Sequence, residues 1–178
     1  MRWNLDDIYP SFDSPEFLSD VRAAGELLAD LNGACRAGLG GDAGKALLSA
    51  VEKLARYQSL IRRAAAYSSL RLAVEAENAD AQAWVERLSA LDAESAPAIT
   101  LFRQHLGALG DGLDEVIAAT PGLSEFVFFL RENQAKARHM LSADVEKALS
   151  LMEITGSRAW SNLQNTLTAT LTAEVELE

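Results

Sequence analysis

The stretch between Asp42 and Glu77 constrains the fold more than any other part of the chain, because it contains no proline and carries two apolar stripes at helical spacing. One stripe contains Leu47, Val51, Leu54 and Ile61, and the other contains Tyr57, Leu60, Ala64, Tyr67 and Val74. A helix with apolar residues on two sides must be covered on both sides. The stretch is therefore predicted to be one long central helix, with Asp42 as its N-cap.

The rest of the sequence also favours helices. Leu and Ala are strong helix formers and are abundant, and only 4 prolines occur in 178 residues. The first helix is predicted to start at Ser14-Pro15-Glu16 and to end near Asn32-Gly33. A third helix is predicted from a cap at Asp80 to Leu109, with a kink at Pro97. The predicted fold class is all-α, an antiparallel multi-helix bundle that forms a single domain over residues 1–178.

The C-terminal third is predicted to contain short helices and a strand-like tail. The helices are predicted at Leu113–Ala119, from Ser124 onward, from a cap at Ser142 to Gly156, and through Trp160 and Leu163. Over residues 168–178 apolar and polar side chains alternate, as they do in a β-strand. A lone strand has no partner in a helical chain, so we expect either that the chain continues beyond this tail or that another segment completes the strand.

Large apolar side chains are concentrated in residues 1–13, which contain Trp3, Leu5, Ile8, Tyr9 and Phe12. Side chains of this size favour burial, which a freely moving terminus would not provide. We therefore predict that residues 1–13 form a docking arm.

Charge and composition exclude several classes of partner. The 16 basic and 26 acidic side chains give a net charge of −10, and a nucleic-acid partner is not expected because phosphates attract basic proteins. No apolar stretch reaches the roughly 18 residues of a membrane-spanning helix, and the N-terminus lacks the apolar region of a signal peptide. A single cysteine, Cys35, cannot form an internal disulfide. A cytoplasmic location without membrane association is predicted.

The titratable residues do not form a recognisable catalytic or metal-binding motif. The only histidines, His105 and His139, lie far apart, and no H-E-x-x-H motif is present for zinc. Phe102 and Lys136, three residues before each histidine, exclude the paired Glu-x-x-His motifs of a di-iron bundle. No G-x-S-x-G motif is present, and Ala46 replaces the Ser or Thr that a phosphate-binding loop needs after its lysine. The sequence therefore predicts no catalytic, cofactor-binding or metal-binding residue.

The remaining candidates have ordinary structural interpretations. His105 is predicted to be partly buried with one hydrogen-bond partner, and His139 to lie at a helix C-terminus, where a protonated ring is favoured by the helix dipole. Cys35 is predicted to be a small, partly buried side chain. Trp84 and Trp160 are predicted to be core anchors rather than ligand platforms.

Three segments resemble the N-terminal region of oligoendopeptidase F proteins, which are zinc metallopeptidases of the thimet-oligopeptidase-like group. The segments are WNLDDIYPSFDSPEF at residues 3–17, YQSLIRRAAAYSSLRLAVEAENADAQAWVERL at residues 57–88, and ARHMLSADVEKALSLMEITGSRAWSNLQNTLTA at residues 137–169. They occur in the family's order and together extend over most of the chain. One local departure is Val145, which replaces the glutamate or glutamine of a full capping box after Ser142.

The resemblance implies that the chain is the helical N-terminal lobe of a longer cytoplasmic peptidase. In that family the lobe packs on a helical catalytic domain, and the channel between them admits only short, unstructured peptides. Zinc is bound in the catalytic domain by the histidines of H-E-x-x-H and a downstream glutamate. None of these residues occurs here, so no catalytic or metal position is transferred, and residues 168–178 are expected to lead into the missing catalytic domain.

An alternative function stays open at this point. The chain could be a stand-alone, non-enzymatic helical interaction module. Residues 1–13 and the strand-like tail would then be its binding surfaces.

Overall fold

A computed structural model describes residues 4–38, 41–75, 77–141, 145, 148–149, 152 and 155–170 of the chain. All regular elements in these residues are helices. They are α1 (Pro15–Ala37), α2 (Ala43–Val74), α3 (Ala79–Ala93), α4 (Ala96–Leu109), a 3₁₀ helix (Gly110–Gly112), α5 (Leu113–Ala119), a second 3₁₀ helix (Pro121–Phe126), α6 (Val127–Ala137) and α7 (Ser157–Thr170). The prediction of an all-α helical bundle is therefore confirmed for the described residues.

The chain divides into two compact units, residues 1–138 and residues 139–178. The first unit contains α1 to α6 and the second contains α7. The single domain predicted over residues 1–178 stays a prediction.

The helix α1 begins where the sequence predicts and ends later. The Ser14 side chain accepts a hydrogen bond from the Phe17 N–H at 3.3 Å, which is the expected N-cap. The predicted end near Asn32 is wrong, because the Asn32 side chain donates to the Leu28 carbonyl within the continuing helix. The helix ends at Gly38, whose φ of +77° is readily adopted by glycine.

The helix α2 packs against α1 and α3 and supplies side chains to two cores. The Asp42 side chain caps it by accepting from the Lys45 N–H at 3.1 Å, as predicted. Its first half contributes to an aliphatic core. That core consists of Leu31, Cys35, Leu47, Ala50, Val51, Leu54, Ala98, Phe102, Leu106, Leu113, Leu123 and Leu130.

The second half of α2 contributes to an aromatic core. This core consists of Leu5, Tyr9, Phe17, Ala24, Leu28, Tyr57, Leu60, Ile61, Ala64, Tyr67 and Leu88, with Phe12 and Trp84 packed against it. Phe17 lies at its centre, with its ring edge-to-face against Tyr9 at 5.1 Å and against Trp84 at 4.9 Å. Such aromatic pairs stabilise a core beyond the area they bury. Trp84 is therefore the core anchor that the sequence predicts.

The N-terminal segment packs on the first unit itself. Leu5 is buried, and Tyr9 is only 1% exposed. The Tyr9 hydroxyl donates to Asp20 of α1 at 2.5 Å and accepts from Nε of Arg63 of α2 at 2.8 Å. Because its ring is enclosed, Tyr9 is not exposed as part of the binding surface that residues 1–13 would form in the alternative function. Trp3 lies outside the described residues.

The predicted kinked third helix is two helices, α3 and α4. The cap of α3 is Asn78 rather than Asp80, since the Asn78 side chain accepts from the Ala81 N–H at 2.8 Å. Pro97 lies in the first turn of α4, where its missing N–H costs no helical hydrogen bond. The Tyr57 hydroxyl donates to the Leu91 carbonyl at 3.1 Å, which ties the end of α3 to α2. Burial raises the pKa of Tyr57 to about 12.

The helix α5 has the predicted bounds, whereas the helix expected from Ser124 begins later. Residues Pro121–Phe126 form a 3₁₀ helix, and α6 follows from Val127. The predicted pair on α6 is present, with Lys136 Nζ 2.7 Å from a Glu132 carboxylate oxygen.

In the second unit, α7 continues to Thr170. The strand-like tail predicted over residues 168–178 is therefore wrong for residues 168–170, and residues 171–178 lie outside the described residues. Ser142, the predicted cap of an earlier helix, also lies outside them. The Trp160 side chain is 71% exposed, so its interpretation as a core anchor is wrong.

Truncating Tyr9 tests the contribution of the N-terminal segment. We expect Tyr9→Ala to lower the free energy of unfolding by about 3–5 kcal/mol, because it removes a buried ring and leaves Asp20 and Arg63 without their shared partner. Urea unfolding followed by circular dichroism measures this loss.

Phe128→Ala is the matched control, because Phe128 is an aromatic residue that is 81% exposed. Its effect should stay within about 0.5 kcal/mol. Equal, small effects of the two substitutions would show that residues 4–13 do not stabilise the first unit.

Candidate functional site

The two histidines have different environments. His105 on α4 is partly buried, and its Nε2 lies 2.7 Å from the backbone carbonyl oxygen of Cys35 on α1. Because a carbonyl oxygen can only accept, Nε2 donates this hydrogen bond. The Cys35 carbonyl is among the last four of α1, which lack partners within the helix. His105 therefore caps the C-terminus of α1, which agrees with the predicted single hydrogen-bond partner.

His139 follows α6 as an exposed residue. It begins the second unit, whereas His105 belongs to the first. Within the described part of the chain, no group of three His, Cys, Asp or Glu side chains could hold a metal ion. With His105 bound to a helix terminus, these residues do not fit the zinc site of a peptidase.

Cys35 is buried in the aliphatic core, and burial raises the pKa of its thiol. Thiolate is the nucleophilic form of cysteine, so a raised pKa makes the side chain less reactive at neutral pH. Its surroundings therefore support a packing role.

Polar side chains hold α6 against α4. Asn133 of α6 is buried, and its carbonyl oxygen accepts from Nε of Arg103 at 3.0 Å. The Gln134 side-chain amide donates to the carbonyl oxygens of Leu106 and Gly110, at 3.3 Å and 2.6 Å. Leu106 lies in the last turn of α4, where helical partners are missing, and Gly110 is the C-cap of that helix. These hydrogen bonds, made by the side of α6 that faces α4, thus fix the orientation of α6.

This orientation places Phe128 on the outer side of α6. Leu130 and Asn133 point inward and are buried, whereas the Phe128 ring is almost fully exposed. Beside it, Nε and Nη2 of Arg131 both donate to Asp114 of α5, at 3.1 Å and 3.0 Å. Phe128 and Arg131 share a shallow depression with Ser124, Glu125, Val127 and Glu132. A large exposed aromatic side chain beside charged groups is typical of a contact surface.

The second unit also exposes apolar side chains. Trp160 and Leu163 are exposed and lie three residues apart on α7, so they share one face of that helix. They line a depression together with Ser161, Gln164, Leu167 and Thr168. The described residues of each unit thus include exposed apolar side chains that line a shallow depression.

The C-terminal part of the chain is similar to a known protein family. Residues 110–172 match the family model described as oligopeptidase F, which represents the N-terminal domain of M3 peptidases. Residues 110–172, which we call the oligopeptidase F segment after the family model that they match, are thus similar to that domain. The predicted resemblance to oligoendopeptidase F proteins is confirmed by this match, which spans about a third of the chain.

The oligopeptidase F segment contains both exposed surfaces. It begins at Gly110, includes Phe128 on α6, and extends over the whole of α7. The resemblance of residues 3–17 and 57–88 lies outside the matched span and stays a prediction. No curated protein and no solved structure gives a significant match to the chain.

Sequence reasoning missed the exposure of Phe128 and Trp160. For Phe128 a signal was present, because Leu123, Phe126 and Leu130 recur at helical spacing and all pack inward. Phe128 lies two residues from both Phe126 and Leu130, which places it on the opposite side of a helix. The sequence around Trp160 shows no comparable pattern of inward-facing and outward-facing residues, so it did not indicate that Trp160 is exposed.

None of the helices in the described part of the chain is both long and apolar enough to cross a membrane.

The burial of Cys35 is directly testable, because it is the only cysteine in the chain. At about pH 8 we expect iodoacetamide to alkylate the native thiol at least about tenfold more slowly than the thiol of the urea-unfolded chain, since burial lowers both thiolate fraction and access. Mass spectrometry over time measures both rates. Equal rates in the two states would contradict a buried Cys35.

Proposed function

We propose that this chain is the substrate-restricting N-terminal lobe of a cytoplasmic, zinc-dependent oligoendopeptidase that hydrolyses short peptides. The observation that carries the proposal is the match of residues 110–172 to the oligopeptidase F family model. In this proposal the catalytic H-E-x-x-H motif belongs to a separate domain of the same polypeptide.

The described side chains support an assisting rather than a catalytic role. His105 is bound to the end of α1, and burial raises the pKa of the Cys35 thiol. In H-E-x-x-H peptidases zinc activates the attacking water and the motif's glutamate acts as the base. The lobe would contribute to peptide cleavage by limiting which peptides reach such a site.

The exposed side chains of the oligopeptidase F segment are the proposed contacts of this lobe with the catalytic domain. Phe128 in the first unit and Trp160 in the second are 81% and 71% exposed. Aromatic side chains are enriched at interfaces, where they bury a large area with few rotatable bonds. Trp160 has an apolar neighbour, Leu163, on the same face of α7, so we assign the stronger contact to α7.

A stand-alone helical interaction module is the second candidate function. The same exposed face of α7 favours it, because the face would suit a separate protein equally well. The coding sequence downstream of residue 178 separates the two candidates. An in-frame H-E-x-x-H motif supports the peptidase lobe, and a stop codon directly after residue 178 supports the module.

The first test is enzymatic. We expect the purified 178-residue chain not to cleave a quenched fluorescent oligopeptide, while a polypeptide that also contains an H-E-x-x-H domain cleaves it and is inhibited by a zinc chelator. Fluorescence release over time measures both activities. Chelator-sensitive cleavage by the 178-residue chain alone would refute the assignment.

The second test concerns the α7 surface. We expect Trp160→Ala to weaken binding to a separately produced catalytic domain by about tenfold, because a buried interface tryptophan is often a dominant contact. Calorimetric titration measures the affinity. Val74→Ala is the control, since Val74 is also exposed and apolar but lies on α2, outside the oligopeptidase F segment. Equal affinities of the two variants would exclude Trp160 from the interface.

A further inference from the structure

A groove runs between α1 and α3 on the first unit. Both helices pack on α2, and the space between them has a volume of about 710 Å³. It is distant in sequence from the oligopeptidase F segment. On the α1 side the groove is lined by Leu18, Val21, Arg22, Gly25 and Glu26, and on the α3 side by Trp84, Arg87, Leu88, Ala90, Leu91 and Glu94.

Contacts with α2 show that α1 and α3 run in the same direction. Asp20 pairs with Arg63 and Asp30 pairs with Lys53, so α1 is antiparallel to α2. Tyr67 and Tyr57 of α2 lie at the levels of Trp84 and Leu91, so α3 is antiparallel to α2 as well. α4 also contacts α1, but the residues that line this groove come from α1 and α3. An added helix antiparallel to both would complete a four-helix arrangement around the groove.

The base of the groove is apolar, and another helix backbone can approach it closely. Leu18 is 40% exposed, Trp84 and Leu91 are partly buried, and Gly25 lines the same groove. A Cβ atom added at Gly25 would meet no heavy atom within 4 Å. A glycine in a helix interior lowers helix stability, but it allows another backbone to approach closely.

Charges are separated along the groove. Phe17 of α1 packs against Trp84 of α3, so Arg22 and Arg87, which follow these two residues in helices of the same direction, differ in level by about 3 Å. The Arg87 guanidinium is 4.8 Å from the Trp84 ring centre. Glu26 and Glu94 lie further along, beyond Gly25. At 1.5 Å per residue, the acidic and basic groups are about 6–10 Å apart along the helix axes. One end of the groove is therefore positive and the other is negative.

We propose that this groove binds an amphipathic α-helix from another polypeptide. The helix runs antiparallel to α1 and α3, with an apolar stripe against Leu18, Gly25 and Trp84. Acidic side chains near its C-terminus face Arg22 and Arg87, and basic side chains near its N-terminus face Glu26 and Glu94. This direction also places the negative end of the helix dipole near the two arginines. The proposal goes beyond the proposed function and does not depend on it.

A helix fits this groove better than an extended peptide does. An extended peptide gains its affinity from backbone hydrogen bonds to a sheet edge, and two helices offer no such edge. A helix instead places apolar residues at three- and four-residue spacing into a groove between helices.

The experiment uses a capped, fluorescein-labelled peptide of about 14 residues. The peptide has lysines in its N-terminal half, glutamates about four to seven residues after them to match the spacing of the groove's charges, and leucines at positions three and four apart. Fluorescence anisotropy with the whole 178-residue chain measures its affinity at low and high salt. We expect saturable binding that weakens several-fold in high salt, because the rim contacts are charged.

Two glycine variants separate groove binding from effects on folding. Gly25→Leu fills the groove and raises helix propensity, so we expect unchanged helicity and at least about tenfold weaker peptide binding. Gly33→Leu is the matched control, because Gly33 is in the same helix, exposed, and equally free of neighbouring atoms. It should bind within about twofold of the unchanged chain.

Other outcomes overturn the proposal. Equal weakening by both glycine variants, or no saturable binding, excludes the groove as a helix site. A peptide with its lysines and glutamates exchanged should bind at least about fivefold more weakly, and equal or tighter binding excludes the antiparallel direction. Sedimentation that shows dimers of the chain, lost in Gly25→Leu, assigns the groove to a second copy instead.

Discussion

The burial of α2 is the constraint on which the first unit depends. This helix has 32 residues, which corresponds to a length of about 48 Å. Buried side chains occur along it from Leu47 to Ser68. No single helix can cover both of its sides, so α1 covers it along much of its length while α3 packs on its second half. The aliphatic and aromatic cores follow from this division.

The polar groups of the first unit are largely used to hold this arrangement. Asp20, Arg63 and the Tyr9 hydroxyl join the N-terminal segment to α1 and α2. His105 satisfies a carbonyl at the end of α1, and Gln134 satisfies carbonyls at the end of α4. Buried polar groups without partners are costly, so such pairs are expected in a packed bundle. These contacts explain why polar side chains whose types are common in catalytic sites have structural roles here.

The surfaces available for function are apolar and lie outside these networks. Phe128 and Trp160 are exposed within the oligopeptidase F segment, and the groove between α1 and α3 lies on a different part of the first unit. Exposed aromatic residues and apolar grooves are favourable for association with other helices or domains. The proposed lobe function and the proposed helix site therefore rest on different residues, and each can fail without the other.

Several features followed from the sequence by itself. The helical class, the caps Ser14 and Asp42, the bounds of α5 and the family resemblance depend on local residue preferences or on motifs, which act over a few residues. The sequence did not predict the break between α3 and α4 or the late end of α1. Only small differences in free energy decide at which residue a helix ends. Packing of residues such as Leu31 and Cys35 can therefore extend a helix past a glycine. Only the tertiary structure decided that Tyr9 is enclosed while Phe128 and Trp160 are exposed. Amino-acid type sets how strongly a side chain favours burial, but the neighbouring helices determine whether space for it exists.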